Sequence, residues 1–477
     1  MAERLKILSQ EQIGLVHEKS IQILDEVGIK FWEQSAVDIL EKSGAVVDRK
    51  SNTVRFPRDL VLKSLKKAPK EILLAGRNKK HDLVLGNGRS YFGTLGTAPL
   101  VFDLDTRERR YAVRKDLENF AHITDSLESL RYFHTCVTPT DMPTNVVDLH
   151  RWAIALNNTE KHCMGAAVYN TDNMPFLLEM LEEIAGGRTE LEARPMITAT
   201  ECPVSPLQHD RRPLRGIMEF ARRKLPVIVY SEPKAGATAP ASLAGTLVVS
   251  NCEVLSGITL MQVINPGAPA IYGSVATLMD MRTGAIAFGS PETGLLAAAT
   301  TQMAQYYGIP NMTPGGRTDS KMTDEQAGYE KQGAALMAGL AGASLNNMGG
   351  LLESNLVASY EQIVIDDEIV GTVERILDGI DFDADALAID LIKDVGPGGT
   401  YISRRHTLAR LKKEHYMSRL SDRKQYSAWV REGSKQMNDR ARERARAILK
   451  EHAPPPLDKS VDRRVQDIIR KAAKKRA

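Results

Sequence analysis

Residues 308–360 constrain the fold more than any other part of the chain. Their pattern predicts a strand, a glycine turn and a small-residue helix with an acidic start, followed by a second strand, glycine turn and helix. These are two consecutive β/α units, and polar side chains follow both strands. In closed β/α barrels the reacting groups lie at the carboxyl ends of the strands. The segment therefore predicts both a fold class and the place where chemistry would occur.

The same alternation extends over most of the 477 residues. Mostly apolar, Ala-rich helices separate eight candidate strands, at residues 91–95, 132–137, 163–168, 196–201, 226–230, 270–272, 309–313 and 345–352. This pattern favours an α/β fold, a TIM-type (β/α)8 barrel with parallel strands. A doubly wound open sheet is the alternative. The sequence has no GxGxxG after the first strand and no GxxxxGK[ST], so it gives a nucleotide-binding fold little support.

Three regions follow from the pattern. Residues 1–85 are predicted to form an N-terminal helical cap, with an amphipathic helix over residues 8–28 that Ser9 caps and Gly28 ends. Residues 86–399 would form the barrel, and residues 400–477 a basic helical C-terminal extension. The small-residue helix GAALMAGLAGAS has two interpretations, a core helix of the barrel or a contact with a second copy in a homo-oligomer.

Charge is divided unequally along the chain. The net charge is +3, yet residues 404–477 carry 23 Lys and Arg against 9 Asp and Glu. Such a basic end could dock an acidic protein or polyanion, or form solvated helices that cross an acidic surface. Nucleic acid is not expected as a partner, because the tail lacks a recognised module and interleaved aromatic residues.

The cysteines and the apolar segments indicate a cytoplasmic protein. The four cysteines show no CxxC or metal-finger spacing, which favours a reducing compartment. The first residues lack the apolar core of a signal peptide, and no uncharged run approaches the roughly 20 apolar residues of a membrane span. No HExxH or paired-histidine spacing is present, so no metal site is predicted.

Aromatic and acidic residues recur at the predicted strands and their ends. Although only 5% of the chain is aromatic, such residues occur at several of these strands. Aromatic faces combined with one or two carboxylates suit a quaternary ammonium group, through cation–π attraction and charge balance. Each tyrosine alone could also be a packing residue. The candidates for this site are Tyr91, Phe92, Glu201, Tyr230, Glu232 and Tyr272.

The last two strands add further candidates. Lys321 follows the seventh strand, and Asn346 and Asn347 lie in the eighth. Two glycine pairs would let the backbone approach a large ligand closely. These pairs are Gly315–Gly316 and Gly349–Gly350.

Four segments carry a resemblance to a known family. They are LSQEQIGLVHEKSIQILDEVGIKF near the start, and MDMRTGAIAFGSPE, GGRTDSKMTDEQAGYEK and LNNMGGLLESNLVASYEQIVIDDEI in the second half. In these segments the sequence resembles the trimethylamine methyltransferase superfamily, and the resemblance extends over nearly the whole chain. It implies a TIM barrel that transfers a methyl group from an amine to a cobalt(I) corrinoid (cobalamin). It also implies that a separate corrinoid protein carries this cofactor, so that none is bound tightly here.

The segment around Lys321 implies a subclass. The archaeal trimethylamine enzymes of the superfamily use pyrrolysine, and here an ordinary Lys321 occupies the segment where that residue is expected. Members without pyrrolysine resemble quaternary amine demethylases, so glycine betaine is the expected substrate. The alternatives are a trimethylamine:corrinoid methyltransferase and a non-catalytic betaine-binding barrel.

The resemblance also implies roles for the candidate residues. The predicted catalytic residues are Glu201 and Lys321. The ammonium would be walled by Tyr91, Tyr230 and Tyr272, with Phe92 in the same site, and Glu201 or Glu232 would balance its charge. The substrate carboxylate would be held by Lys321, Asn346 and Asn347. The turns facing the corrinoid would be Gly315, Gly316, Gly349 and Gly350.

Overall fold

The computed structural model describes residues 4–475, and eight parallel strands close into a barrel. Strand β8 pairs with β1 through Asn346 and Phe92, which completes the ring. The predicted (β/α)8 barrel is confirmed, because each candidate strand overlaps one barrel strand. The strands β1–β8 are Tyr91–Thr94, Leu130–His134, His162–Gly165, Ile197–Glu201, Val227–Ser231, Ala270–Ser274, Asn311–Pro314 and Leu345–Gly349.

One long helix follows each barrel strand. Local sequence sets their ends: the Asp324 side chain accepts a hydrogen bond from Ala327 N at the start of α7, and Gly342 ends that helix in the left-handed conformation. The helices α1–α8 are Arg114–Ser126, Val147–Asn158, Met174–Ala185, Arg211–Arg222, Leu243–Ile264, Pro291–Tyr307, Glu325–Ala341 and Tyr360–Asp378. A 3-10 turn (Thr171–Asn173) precedes α3, and a short helix (Arg188–Ala193) follows it.

Helix α5 is the one helix of the described residues that is long and apolar enough to span a membrane. In the fold, 78% of its apolar 18-residue stretch is buried inside the protein. It packs against β5, β6 and the N-terminal helices, so its apolar surface is used inside the protein.

The region before β1 covers one side and one end of the barrel. It contains helices Gln10–Glu26, Gln34–Lys42 and Arg58–Leu65, and strands Ile29–Phe31, Val46–Asp48 and Thr53–Arg55, which form a sheet with Gln208–His209. A hairpin, Ile72–Leu74 with Leu83–Leu85 around the 3-10 turn Lys79–His81, packs its leucines against interior residues such as Tyr132 and Met164. This hairpin closes the amino-terminal end of the barrel.

Short strands surround the carboxyl end of the barrel. Strands Leu100–Phe102, Arg109–Tyr111, Leu351–Leu352 and Val357–Ser359 form one sheet, and Lys234–Ala235, Thr277–Asp280 and Ala285–Ala287 form another. A 3-10 turn, Glu353–Asn355, connects two strands of the first sheet.

The last residues wrap around the barrel as helices. These helices are Ala384–Leu387, Ile389–Val395, Arg405–Glu414, Tyr426–Arg431, Met437–Glu451 and Lys459–Lys474. Basic side chains of this region pair with barrel carboxylates, as in Arg442–Glu361 at 2.7 Å and Arg446–Asp105 at 2.8 Å. These pairs agree with the interpretation of basic helices lying on an acidic surface.

Candidate active site

The two faces of each barrel strand lead to different surroundings. On β5, Ile228 and Tyr230 pack with the cluster that fills the barrel interior. Val227 and Val229, one residue away, pack in the cluster between the strands and helices. We call the first set the interior layer and the second the shell. Because side chains alternate along a strand, one position decides which of the two a residue joins.

Glycines make room for three rings of the interior layer. A Cβ atom at Gly93 would lie 2.3 Å from Tyr132 ring atoms. One at Gly273 would lie 2.6 Å from Cδ2 of Tyr230. One at Gly96, just after β1, would lie 2.2 Å from Nδ1 of His134. Each ring therefore lies across the neighbouring strand, where only glycine leaves enough space.

Hydrogen bonds fix part of this layer. The Tyr132 hydroxyl of β2 donates to Asn347 Oδ1 of β8 at 2.8 Å, passing over β1, which lies between the two strands. Deeper in the barrel, His162 and Thr198 are hydrogen bonded at 2.8 Å. Asn347 thereby reaches the interior, as a substrate-binding residue must.

A carboxylate lies at the carboxyl end of β5. The Glu232 side chain is 31% exposed, and Lys234 Nζ lies 3.5 Å from its Oε2 while donating to the Glu232 carbonyl oxygen at 2.6 Å. The Cys202 thiol lies 3.9 Å from Glu232 Oε1. Burial and the Glu232 charge hold the pKa of this thiol well above its usual range, so Cys202 is a neutral thiol.

An arginine completes the layer after β7. Arg317 is only 4% exposed, and its guanidinium lies over the Phe288 ring, 4.6 Å from the centroid. Across residues 4–475, no carboxylate lies within ion-pair distance of it. Its Nε has no hydrogen-bond partner in that range.

Two further side chains of the interior layer, both uncharged, also have a polar atom without a hydrogen-bond partner in the described range. The His134 Nδ1 and Tyr230 hydroxyl atoms have no hydrogen-bond partner within the described chain. Burial lowers the pKa of His134 to about 3, and the positive charges of Arg151 and Arg317 act in the same direction. Burial raises the pKa of Tyr230 above its usual range, while the nearby Arg317 charge opposes that increase. Both groups are therefore neutral at neutral pH.

Glu201 lies in the shell, next to these residues in sequence but on the other side of β4. Its Oε1 accepts from Ala167 N at 3.0 Å, and a Cβ atom at Gly216 of α4 would lie 2.3 Å from that oxygen. Its Oε2 is 3.7 Å from Arg212 Nη1. Burial raises the pKa of Glu201 to about 7, although the Arg212 charge opposes the increase. This orientation separates Glu201 from the interior layer.

Three other predicted residues are also in the shell. The Tyr272 hydroxyl donates to Asn251 of α5 at 2.8 Å. Phe92 packs against α7, and Asn346 accepts from Thr313 at 3.1 Å. Their side chains contact helices or neighbouring strands on the outer side of the barrel. This placement changes their predicted role from substrate contact to packing.

Tyr91 lies at the opposite end of the barrel from the predicted site. It begins β1, and its hydroxyl accepts from Asn87 at 3.3 Å. It lines a cavity of about 670 Å³ at the amino-terminal end, together with Arg89 and Arg131. The reason is the direction of β1, whose first residue lies farthest from the carboxyl ends.

Lys321 and the glycine turns lie on the expected face, but in different environments. Lys321 is exposed, and its Nζ donates to the Asp319 carbonyl oxygen at 2.8 Å. Both glycine turns are buried. They pack against the fully buried ion pair Lys331–Asp366, whose charged atoms lie 3.0 Å apart. Lys331 donates to the Gly316 carbonyl oxygen, and Asp366 accepts from Gly350 N. The turns, Gly315–Gly316 and Gly349–Gly350, therefore support the loops instead of forming an exposed surface.

No metal site is visible among residues 4–475, because no three His, Cys, Asp or Glu side chains come together in a suitable group. The interior layer is thus suited to bind a small polar molecule through an aromatic ring, a carboxylate and a guanidinium. Among the described residues, Glu232 and Lys234 form a charged pair at this end, 3.5 Å apart.

The family model for trimethylamine methyltransferase matches residues 1–476. The chain belongs to this family. It is 37% identical over 426 residues to the trimethylamine methyltransferase of Desulfitobacterium hafniense (strain DSM 10664 / DCB-2), covering 89% of this chain and 86% of that relative. It is 36% identical over 473 residues to the glycine betaine methyltransferase of Desulfitobacterium hafniense (strain Y51), covering 99% and 98%.

Solved structures support the fold of this methyltransferase family member. The monomethylamine methyltransferase of Methanosarcina barkeri superposes with a TM-score of 0.57, covering 94% of this chain and 88% of that one. The sequence identity is 11%, so this likeness concerns the fold alone. The predicted family, the predicted barrel and the prediction that the protein is a methyltransferase are confirmed.

The structure brings together only some of the predicted site residues of this methyltransferase. Tyr230, Glu232 and Asn347 meet in the interior layer. Sequence reasoning missed Arg317 and His134, which share it. A signal for Arg317 was present, because it directly follows the glycine pair at the end of a predicted strand.

Proposed function

We propose that this methyltransferase takes a methyl group from a quaternary amine, glycine betaine, and passes it to a cobalt(I) corrinoid. A separate corrinoid protein would carry that acceptor to the carboxyl end of the barrel. The observation that carries the proposal is the interior layer, where the Tyr230 ring at the end of β5 and the Glu232 carboxylate just after it share one layer with the neutral His134 and Cys202 side chains. One relative that aligns over 99% of this chain and 98% of its own length is a glycine betaine methyltransferase.

The chemistry explains why such a simple site suffices for a quaternary amine. Its nitrogen already carries the positive charge that makes the methyl carbon electrophilic. When cobalt(I) attacks, the carbon–nitrogen bond breaks and its electron pair stays on nitrogen, which leaves as a neutral amine. Cobalt provides the electron pair of the new bond to carbon and becomes cobalt(III). No proton moves in this step, which agrees with a layer of neutral His134, Tyr230 and Cys202 side chains.

The residues of this chain would bind and orient the substrate. The Tyr230 ring attracts the ammonium group, and the Glu232 carboxylate balances its charge. Such contacts can hold the methyl carbon in line with the acceptor, with the reacting atoms about 3–3.5 Å apart. Closure by the surrounding short strands would exclude water, which competes for cobalt(I).

Methyl transfer can be measured directly. The purified protein is mixed with reduced cobalt(I) corrinoid, or with a corrinoid protein, and with a panel of quaternary amines and trimethylamine. Conversion to methyl-cobalt(III) is followed by absorbance. We expect turnover with glycine betaine and none with trimethylamine. Turnover with trimethylamine alone would replace the substrate assignment, and betaine binding without any turnover would indicate a binding protein.

A pair of variants tests the role of Glu232 in the same assay. Glu232→Gln should weaken glycine betaine binding, because it removes the charge that balances the ammonium. Glu353→Gln is the matched control, since Glu353 is a partly exposed carboxylate on the same face and pairs with Arg109 at 2.9 Å. Equal effects of the two substitutions would contradict the assignment.

A further inference from the structure

We propose that Arg317 binds the carboxylate of the substrate, so that the enzyme selects zwitterionic quaternary amines over those without a carboxylate. The inference rests on the proposed function for the identity of the ammonium part. The carboxylate part stands on Arg317 and its surroundings.

The first observation is that Arg317 is a buried charge with no ion-pair partner among residues 4–475. It is 4% exposed, and its described neighbour is the face of the Phe288 ring. Arg110, near the same end, is paired with Asp103 and Asp116 at 2.9 and 2.7 Å. Arg151 is also buried without an ion pair in the described range, but it donates to the Tyr169 hydroxyl and the Ala166 carbonyl oxygen. An uncompensated buried charge is costly, so its retention indicates that a ligand supplies the missing negative charge.

The second observation is that Asp319 in the loop after β7 and Glu330 in α7 are already occupied. Asp319 accepts from Phe288 N at 3.0 Å, from Gly289 N at 2.9 Å and from Ser354. Glu330 accepts from Asp319 N at 2.9 Å and from Thr318. These bonds fix the loop after β7 and leave its carboxylates committed to backbone and hydroxyl groups. The guanidinium is thereby held in place before any ligand arrives, which lowers the entropic cost of binding.

The third observation is the position of Arg317 relative to the ammonium site. Its guanidinium lies over the Phe288 ring, and Phe288 packs in the same interior cluster as Tyr230. Glu232 directly follows the strand that carries Tyr230, which ends at Ser231, so it lies at the same end of the barrel. A positive group and a negative group in one layer match the negative and positive ends of a betaine. Guanidinium also presents paired N–H donors that fit the two oxygens of a carboxylate.

Lys321, the lysine predicted for this role, and the nearby Lys331 are differently placed. Lys321 is exposed and bonded to a backbone carbonyl, and Lys331 is paired with Asp366. Asn347 accepts the Tyr132 hydroxyl on its carbonyl oxygen, and its amide carries no charge to balance a carboxylate. In the part of the chain that the structure describes, Arg317 is thus a buried cation of the layer that has no carboxylate partner.

Calorimetric binding with three ligands separates the two ends of the substrate. The ligands are glycine betaine, its methyl ester, which lacks the carboxylate charge, and 3,3-dimethylbutanoate, which keeps the carboxylate but replaces nitrogen by carbon. The proteins are the wild type, Arg317→Met and Arg317→Lys, with circular dichroism and thermal melting to verify folding. We expect Arg317→Met to weaken glycine betaine and 3,3-dimethylbutanoate about 10- to 100-fold and to leave the ester unchanged. Arg317→Lys should recover part of the loss.

The outcomes distinguish this inference from the proposed function. Equal losses for all three ligands, or no loss for any, would overturn the role of Arg317 while leaving quaternary amine binding intact. If the wild type binds 3,3-dimethylbutanoate through Arg317 but binds neither ammonium ligand, the proposed function fails and the carboxylate site stands. A variant that does not fold is replaced by Arg317→Gln, for which the same ligand pattern is expected.

Discussion

The interior layer and the shell are built from neighbouring residues of the same strands, yet they treat polar groups differently. In the shell, Tyr272 is bonded to Asn251, and Lys331 is paired with Asp366. In the interior layer, polar atoms of His134, Tyr230 and Arg317 have no partner among residues 4–475. Buried polar groups are normally satisfied, so open ones mark where a ligand would bind. Shell side chains with one open atom, such as Glu201 and Gln362, are bonded through their other polar atom, so the interior layer is where we expect a ligand.

The strongest test of this comparison removes the shell pair behind the glycine turns. Lys331→Met leaves Asp366 buried with an uncompensated charge, and we expect a loss of about 3–5 kcal/mol in the free energy of unfolding. Chemical denaturation measures it. The double variant Lys331→Met with Asp366→Leu should recover much of the loss, because no unpaired charge remains. An unchanged stability in the single variant would show that the pair does not support the fold.

Glu201 is a shell carboxylate whose Oε2 has no hydrogen-bond partner among residues 4–475 and only the Arg212 guanidinium beside it, at 3.7 Å. Its pKa is raised by burial to about 7, above the ordinary value of 4.5, so the folded state binds its proton more tightly than the unfolded state does. Stability from this group is therefore fully present below about pH 4.5 and is lost as the pH rises to about 7. We expect Glu201→Gln to gain about 3 kcal/mol relative to the wild type between pH 4.5 and pH 8.

Denaturant unfolding of both proteins across this pH range gives the difference directly. Other titrating groups cancel in the comparison, since they are common to the two proteins. A difference that stays constant with pH would show that Glu201 titrates as an ordinary surface carboxylate.

Substitutions in the interior layer should change the affinity for ligand more than the free energy of unfolding. Tyr230→Leu removes the ring that faces the ammonium, and we expect glycine betaine to bind about 10-fold more weakly, or roughly 1–2 kcal/mol. Binding of the uncharged-nitrogen isostere 3,3-dimethylbutanoate should change much less. Tyr230→Phe keeps the ring and serves as the control. Equal weakening of both ligands in Tyr230→Leu would argue against a cation–π contact.

The smallest effect is expected for the tyrosine on the other side of the sheet. Tyr272→Phe removes the hydrogen bond to Asn251 and should cost about 1 kcal/mol of unfolding free energy. Its affinity for glycine betaine should equal that of the wild type. A loss of affinity without a loss of stability would place Tyr272 in the binding site and break the distinction between the two regions.

Much of the fold was predictable, while only part of the site was. The strands could be placed because β-branched and apolar runs alternate with helical ones, a local property of the chain. The prediction of the site residues differs from the structure at single positions. Tyr272 was chosen, but its neighbour Gly273 faces the interior. Asn346 was chosen together with Asn347, but Asn346 lies in the shell. Strands buried on both faces carry no polar–apolar alternation that would show which face is inward. Tyr91 was misplaced because a strand's direction decides which end of it reaches the mouth.

The sequence by itself determined the family, the eight β/α units and the presence of aromatic, acidic and basic residues near the strand ends. Those follow from local patterns that survive in a linear chain. Only the tertiary structure decided that Arg317 is buried while Lys321 is exposed, and that Glu232 and not Glu201 lies with Tyr230. Burial and orientation depend on which strands and helices surround a residue. Those surroundings exist only when the barrel closes.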